Sequence, residues 1–159
     1  MNNFDFEPYL TKFNQFLELR DLTENTAKSY NSFLMQYFYY IDSNLGKAPE
    51  NVTHDEIRTY LLYLKNVRNL AATSINAHNS QLRTFYIYVI NKPLDKFLVP
   101  FMKTTRKLPV IYSKSKILNF IDTLVHIRDK TIVALLYSSG IRVSELRYIK
   151  YDDVSKDTM

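Results

Sequence analysis

The sequence predicts an all-α fold, and three observations support that prediction. Only two glycines occur in 159 residues, whereas tight β-hairpins and glycine-rich nucleotide loops depend on glycine. Apolar residues recur at three- and four-residue spacing along most of the chain, which is the spacing of helix faces. Helix-start signals precede several of these runs, and the clearest is the capping box formed by Thr53 and Glu56.

Four amphipathic helices are predicted in residues 1–92, joined by short loops into a compact bundle that buries its own core. The tyrosine and phenylalanine stripes on these helices are interpreted as core. The predicted helices run from about Phe6 to Arg20, from the N-cap Thr23 to about Ile41, onward from the Thr53 capping box, and from about Thr73 to Ile90.

Residues 93–112 are predicted to form a basic linker. Pro93, Pro100 and Pro109 prevent a continuous helix. Between Lys92 and Lys116 the chain has seven basic residues and one acidic residue, so this stretch carries all of the excess in a net charge of +5. An extended cationic segment suits contact with phosphates, and its centre is placed at Lys103, Arg106 and Lys107. The alternative is a solvated linker without a binding role.

Helical spacing returns in residues 113–159. Helices are predicted from about Lys114 to Leu124, from Arg128 to Ser138, and from Arg142 to Tyr148, with a turn at Gly140 before the last of them. The final stretch, Tyr151–Val154, is interpreted as the approach to a strand.

The composition argues against several classes of protein. Cysteine is absent and the three histidines are not at ligand spacing, so we expect no disulfide scaffold, no metal and no cofactor. No run of eighteen apolar residues occurs, and the N-terminus does not resemble a secretory signal. We expect a cytoplasmic protein with a polyanionic partner and no small-molecule substrate.

Arg142 is the main candidate for chemistry. It stands at the predicted start of a helix, where free N–H groups attract an anion, and its guanidinium adds a bidentate grip on phosphate oxygens. The alternative is an exposed arginine in an ordinary helix turn.

The pattern Gly140-x-Arg142-x-x-Glu145-Leu146 resembles the first catalytic box of tyrosine recombinases, the phage-integrase and Xer type. The resemblance extends along the chain, at Thr26–Tyr30, Thr73–Tyr86, Lys107-Leu108-Pro109 and Arg128-Asp129. It implies a SAM-like core-binding bundle followed by the first helices of a truncated α+β catalytic domain.

The resemblance also implies a role for each matched residue. Arg142 corresponds to the family's first catalytic arginine, and Glu145 to an acidic residue that supports the site. The family's lysine, its His-x-x-Arg box and its nucleophilic tyrosine have no counterpart in residues 1–159, so the chain alone is expected to be inactive. The implied partners are double-stranded DNA and further recombinase protomers.

The family lays its second and fourth helices against DNA. The DNA-contacting residues implied there are Lys28 and Asn31 on the second helix, and Asn76, His78 and Arg83 on the fourth. The alternative is that these residues form only soluble helix surface.

Three other functions remain open on the sequence. One is a stand-alone DNA-binding protein that competes with an intact recombinase. Another is a helix-turn-helix reader formed by residues 135–149, and the third is a helical protein-interaction module.

Overall fold

A computed structural model describes residues 4–105, 108–150 and 153, and the described residues are helical and irregular without a strand. The chain divides into two compact units, residues 1–106 and 107–159. The predicted all-α class is confirmed. No helix within the described ranges has the length and apolar character needed to cross a bilayer.

The first unit contains four main helices close to their predicted positions: α1 (Glu7–Leu19), α2 (Glu24–Asn44), α3 (His54–Asn66) and α4 (Ala72–Phe85). A 3₁₀ turn at Pro49–Asn51 precedes α3, and α4 continues as a π-helical turn at Tyr86–Ile90. The predicted capping box is present. The Glu56 carboxylate accepts from the Thr53 backbone N–H at 2.9 Å, and the Glu56 N–H donates to the Thr53 hydroxyl at 3.3 Å.

The core of this unit is rich in aromatic rings. Phe13, Phe38 and Phe85 are fully buried, and the Phe85 ring meets the other two edge-on, at centroid distances of 5.9 and 5.4 Å. Edge-to-face contacts between rings stabilise a core beyond the area that they bury. The interpretation of the aromatic stripes as core is therefore confirmed.

The chain beyond α4 differs from the predicted linker. Leu94 and Val99 are buried in the core of the first unit. Residues 94–102, called the docked segment below, therefore belong to the packed unit, which corrects the first part of the predicted linker. Its two apolar anchors are easily overlooked in a stretch dominated by prolines and lysines.

The second unit contains α5 (Lys114–Thr123), α6 (Ile127–Ser139) and α7 (Val143–Leu146). Gly140, at φ 68°, ends α6 in the left-handed conformation that glycine adopts without strain. The last helix is shorter than predicted, with four residues. Within residues 108–150 no side chain reaches full burial. The strand predicted at 151–154 lies outside the described residues, apart from Asp153.

Candidate nucleic-acid interface

A groove on the first unit lies between the end of α1, the start of α2 and the outer side of α4. Thr26 and Tyr30 of α2 line it, with Ser80 and Thr84 of α4 and Arg20 at the end of α1. Ser80 and Thr84 lie one helical turn apart on α4. Small hydroxyl side chains permit close approach of a backbone and donate hydrogen bonds to phosphate oxygens.

Aromatic rings form one wall of this groove. The Phe16 and Tyr88 rings stack with their centroids 3.9 Å apart, and the Arg20 guanidinium carbon lies 5.8 Å from the centroid of Phe16. Arg20 forms no ion pair with the described residues. Its charge is thus unneutralised at the groove. The sequence analysis missed Arg20, although its position one helical turn after Phe16 predicts this contact.

Of the two α2 residues expected to contact DNA, Lys28 is exposed and Asn31 is half-buried. The Lys28 ammonium lies 2.6 Å from the Glu24 carboxylate, one helical turn earlier. Such exposed pairs are weak and screened by salt, so Lys28 can exchange partners. The Asn31 amide donates to the Asn14 side-chain oxygen at 2.7 Å and joins α2 to α1. Asn31 thus contributes to helix packing.

The structure contradicts the prediction that His78 contacts DNA. Only 2% of its surface is exposed. Its ring meets Phe33 at a centroid distance of 4.2 Å, and its Nδ1 lies 3.4 Å from the Tyr60 hydroxyl. Burial lowers the pKa of His78 to about 4, because the charged imidazolium loses its hydration, so the side chain is neutral near pH 7.

Asn76 and Arg83 contact the docked segment, and Arg83 also lines the groove. The Asn76 side chain accepts from the Met102 N–H at 2.8 Å and donates to the Met102 carbonyl at 2.9 Å. The Arg83 guanidinium donates to the Leu94 carbonyl at 2.8 Å. Both side chains donate to the protein's own backbone, and their contact with DNA stays a prediction.

The lysines of the basic stretch have different neighbours. The Lys92 ammonium donates to the Glu50 carbonyl at 3.0 Å, and the Lys96 ammonium lies 5.2 Å from the centroid of the Phe97 ring. Lys103 is exposed. Arg106 and Lys107 lie outside the described residues. The predicted phosphate-contacting segment centred on Lys103, Arg106 and Lys107, called the basic strap below, therefore stays a prediction.

Arg142 and Glu145 of the second unit contact each other. The Glu145 carboxylate accepts from the Arg142 backbone N–H at 2.8 Å and from its guanidinium at 2.9 Å. These two bonds hold the pKa of Glu145 below its usual value. The Arg142 side chain remains 82% exposed. Because α7 has a single turn, it adds less dipole to an anion site than the longer predicted helix would.

Comparison with known proteins identifies the family. The model of the phage integrase N-terminal SAM-like domain matches residues 9–96, more than half of the chain. The chain belongs to the tyrosine recombinase family. Tyrosine recombinase XerD of Rickettsia prowazekii is 34% identical over 155 residues, which cover 88% of this chain and 49% of XerD. The TnP I resolvase of Bacillus thuringiensis is 28% identical, covering 92% of this chain and 55% of the resolvase.

The solved structures give the same fold for this tyrosine recombinase chain. The crystal structure of XerA recombinase matches with a TM-score of 0.54 and 24% identity, over 95% of this chain and 52% of XerA. The chain spans about half the length of the curated relatives that it matches. The SAM-like match includes α1 to α4 and the groove, whereas Arg142 lies outside it.

Proposed function

We propose that this chain binds duplex DNA for site-specific recombination by a tyrosine recombinase. The observation that carries the proposal is the groove between α1, α2 and α4. It combines the Arg20 guanidinium, which has no ion pair within the described part of the chain, with three small hydroxyl side chains. A family match over the same helices supports it.

In this proposal the groove binds the sugar–phosphate backbone. Arg20 supplies a planar donor for phosphate oxygens, and the hydroxyls of Ser80 and Thr26 permit the backbone to come close. Lys28 also binds a phosphate once its ammonium dissociates from the Glu24 carboxylate, and Lys103 adds a further positive charge. Such contacts position a protein on DNA and make its affinity depend on salt, without specifying sequence.

Arg142 is proposed to bind the phosphate at which recombination takes place. Its guanidinium presents five N–H donors, and the bond to Glu145 uses only one of its terminal nitrogens. Glu145 sets the direction of the guanidinium, so its remaining donors are oriented before the phosphate arrives. The described residues of this chain are thus assigned DNA binding and one phosphate-binding arginine.

The length of α7 favours this proposal over a helix-turn-helix reader at residues 135–149. A recognition helix lies in the major groove and contacts several bases from successive turns. The four residues of α7 form one turn, which is too short for that role.

Binding to a fluorescently labelled duplex, followed by anisotropy over a salt series, tests the proposal. We expect log Kd to rise linearly with log salt concentration. Arg20→Glu should weaken binding more than Lys65→Glu, which changes the net charge equally at an exposed site of α3 outside the groove. The proposal fails if the chain does not bind duplex DNA at low salt, or if the two variants bind alike.

A further inference from the structure

The docked segment is held mainly through its backbone. Its carbonyls and two of its N–H groups bond to side chains from α3 and α4, and the exposed side chains of Lys96 and Phe97 contribute nothing to these bonds. Leu94 and Val99 are buried in the core, and the partly buried Met102 packs against it. The path of the docked segment is therefore determined by the side chains of α3 and α4 that bond to its backbone.

Arg83 is the centre of this grip. Its guanidinium donates to the carbonyls of Leu94, at 2.8 Å, and Val99, and its Nε donates to the Asn79 side-chain oxygen at 3.2 Å. The guanidinium carbon also lies 5.2 Å from the centroid of the Phe101 ring. Bonds from a charged donor to carbonyls are among the stronger hydrogen bonds, and here one side chain joins both ends of a turn.

Two asparagines of α4 extend the grip along the segment. The Asn79 amide donates to the Pro100 carbonyl at 3.2 Å, and Asn79 itself is buried. One helical turn earlier, Asn76 pairs with both the N–H and the carbonyl of Met102, as a neighbouring strand would. Asn76, Asn79 and Arg83 thus follow one face of α4 and contact the segment in reverse order along its length.

We propose that Asn76, Asn79 and Arg83 are positioning residues that form a latch on the backbone of the docked segment and determine where the free part of the chain begins. With the latch closed, free chain begins at Lys103 instead of Lys92. The latch therefore holds Lys103, the first residue of the basic strap, beside the first unit, which raises its effective concentration at DNA bound there. This consequence for the strap rests on the proposed function, whereas the latch itself does not.

Limited trypsin digestion of the full chain tests the latch. The Lys92–Pro93 bond resists trypsin because proline follows it, so Lys96–Phe97 reports opening of the docked segment and Lys103–Thr104 reports free chain. In the native protein we expect cleavage after Lys103 to precede cleavage after Lys96. Arg83→Met should speed cleavage after Lys96 by about tenfold, since it removes charge-assisted bonds that oppose local opening.

Matched variants separate the latch from a general loss of stability. Arg68→Met makes the same substitution at an exposed arginine just after the end of α3, and should leave cleavage after Lys96 unchanged. Arg83→Lys keeps the positive charge but loses the planar guanidinium, so it should keep only part of the protection against cleavage after Lys96. The latch is overturned if Lys96 is cut as fast as Lys103 in the native protein, or equally fast in the Arg83→Met and Arg68→Met variants.

Hydrogen exchange gives a second measurement that does not depend on Arg83. The Met102 N–H bonds to the Asn76 side-chain oxygen, so Asn76→Ala should raise its exchange rate by about tenfold, whereas Asn76→Asp retains the acceptor and much of the protection. Equal exchange in the Asn76→Ala variant and the native protein contradicts the latch.

DNA binding separates the latch from the proposed function. If the native chain binds DNA, we expect Asn76→Ala to weaken binding several-fold, because Asn76 belongs to the latch and does not line the groove as Arg83 does. Faster exchange in this variant with unchanged affinity refutes the consequence for the strap and supports the latch. If the native chain does not bind DNA, the proposed function fails, and digestion and exchange still decide whether the latch exists.

Discussion

The hydroxyl oxygens of Tyr37 and Tyr86 lie 2.6 Å apart inside the core of the first unit. The Tyr86 hydroxyl donates to the Pro49 carbonyl at 2.8 Å, so Tyr37 is the donor between the two tyrosines. This chain of bonds joins α2, the π-helical turn and the loop before α3. Burial raises the pKa of both tyrosines well above the ordinary value.

Replacing Tyr86 with phenylalanine should destabilise the first unit. The change leaves the Pro49 carbonyl and the Tyr37 hydroxyl buried without a partner, so we expect the free energy of unfolding to fall by about 1–3 kcal/mol. Urea denaturation followed by circular dichroism measures it. Tyr39→Phe is the control, because Tyr39 is 72% exposed. Equal free energies of unfolding for the Tyr86→Phe and Tyr39→Phe variants would contradict these hydrogen bonds.

The burial of His78 predicts a loss of stability in acid. Its pKa is about 4 in the folded chain and about 6.5 when unfolded, so the unfolded state binds the proton more tightly. The stability from burying the neutral ring is fully present above pH 6.5 and is lost as the pH falls towards 4. The loss reaches about 3 kcal/mol.

Urea denaturation at a series of pH values tests this dependence. Between pH 7 and pH 4 the native protein should lose more stability than the His78→Gln variant, because the shared carboxylate titrations cancel in the comparison. His126→Gln, at an exposed histidine, should follow the native protein. Parallel pH profiles for the native protein and His78→Gln would show that His78 does not titrate in this way.

Removing the acidic partner of Lys28 should strengthen DNA binding. Glu24→Gln frees the Lys28 ammonium and removes a negative charge beside the groove, so we expect about threefold tighter binding at low salt. Anisotropy with a labelled duplex measures the change. Glu18→Gln alters the net charge equally on the exposed side of α1 and should have the smaller effect. If the Glu24→Gln variant binds DNA more weakly than the native protein, the DNA does not lie beside Glu24 and Lys28.

The predicted strap is tested by replacing Lys103, Arg106 and Lys107 together with alanine. Loss of phosphate contacts should weaken binding to every duplex by a similar factor and reduce the slope of log Kd against log salt by up to about three. The readout is a salt titration on two duplexes of unrelated sequence. Unchanged affinity would show that these residues only connect the two units.

The helices were predictable because their signals are local. Apolar spacing places α1 to α4 within a few residues of their observed bounds, and Thr53 with Glu56 marks the start of α3. Gly140 likewise marks the end of α6, since its left-handed conformation suits glycine. Each of these signals acts within one or two helical turns.

The site residues on α4 were not predictable in the same way. Asn76 and Arg83 are polar residues of an amphipathic helix, and their partners come from the docked segment later in the chain. His78 is polar and buried because Phe33 and Tyr60, from two other helices, enclose it. The groove similarly needs three helices to bring Arg20 beside Ser80. Pairing between distant residues decides these positions, and local spacing carries no information about it.

The tyrosines of the chain include an exposed group and an enclosed group, which absorbance can distinguish. Tryptophan is absent, so the thirteen tyrosines dominate its near-ultraviolet absorbance. Tyr112, Tyr137 and Tyr148 of the second unit are exposed, whereas Tyr37, Tyr60 and Tyr86 are enclosed in the bundle. Burial raises the pKa of the enclosed phenols, so in an alkaline titration they should ionise only as the bundle unfolds. Phenolate absorbance would then follow the opening of the first unit without any attached dye.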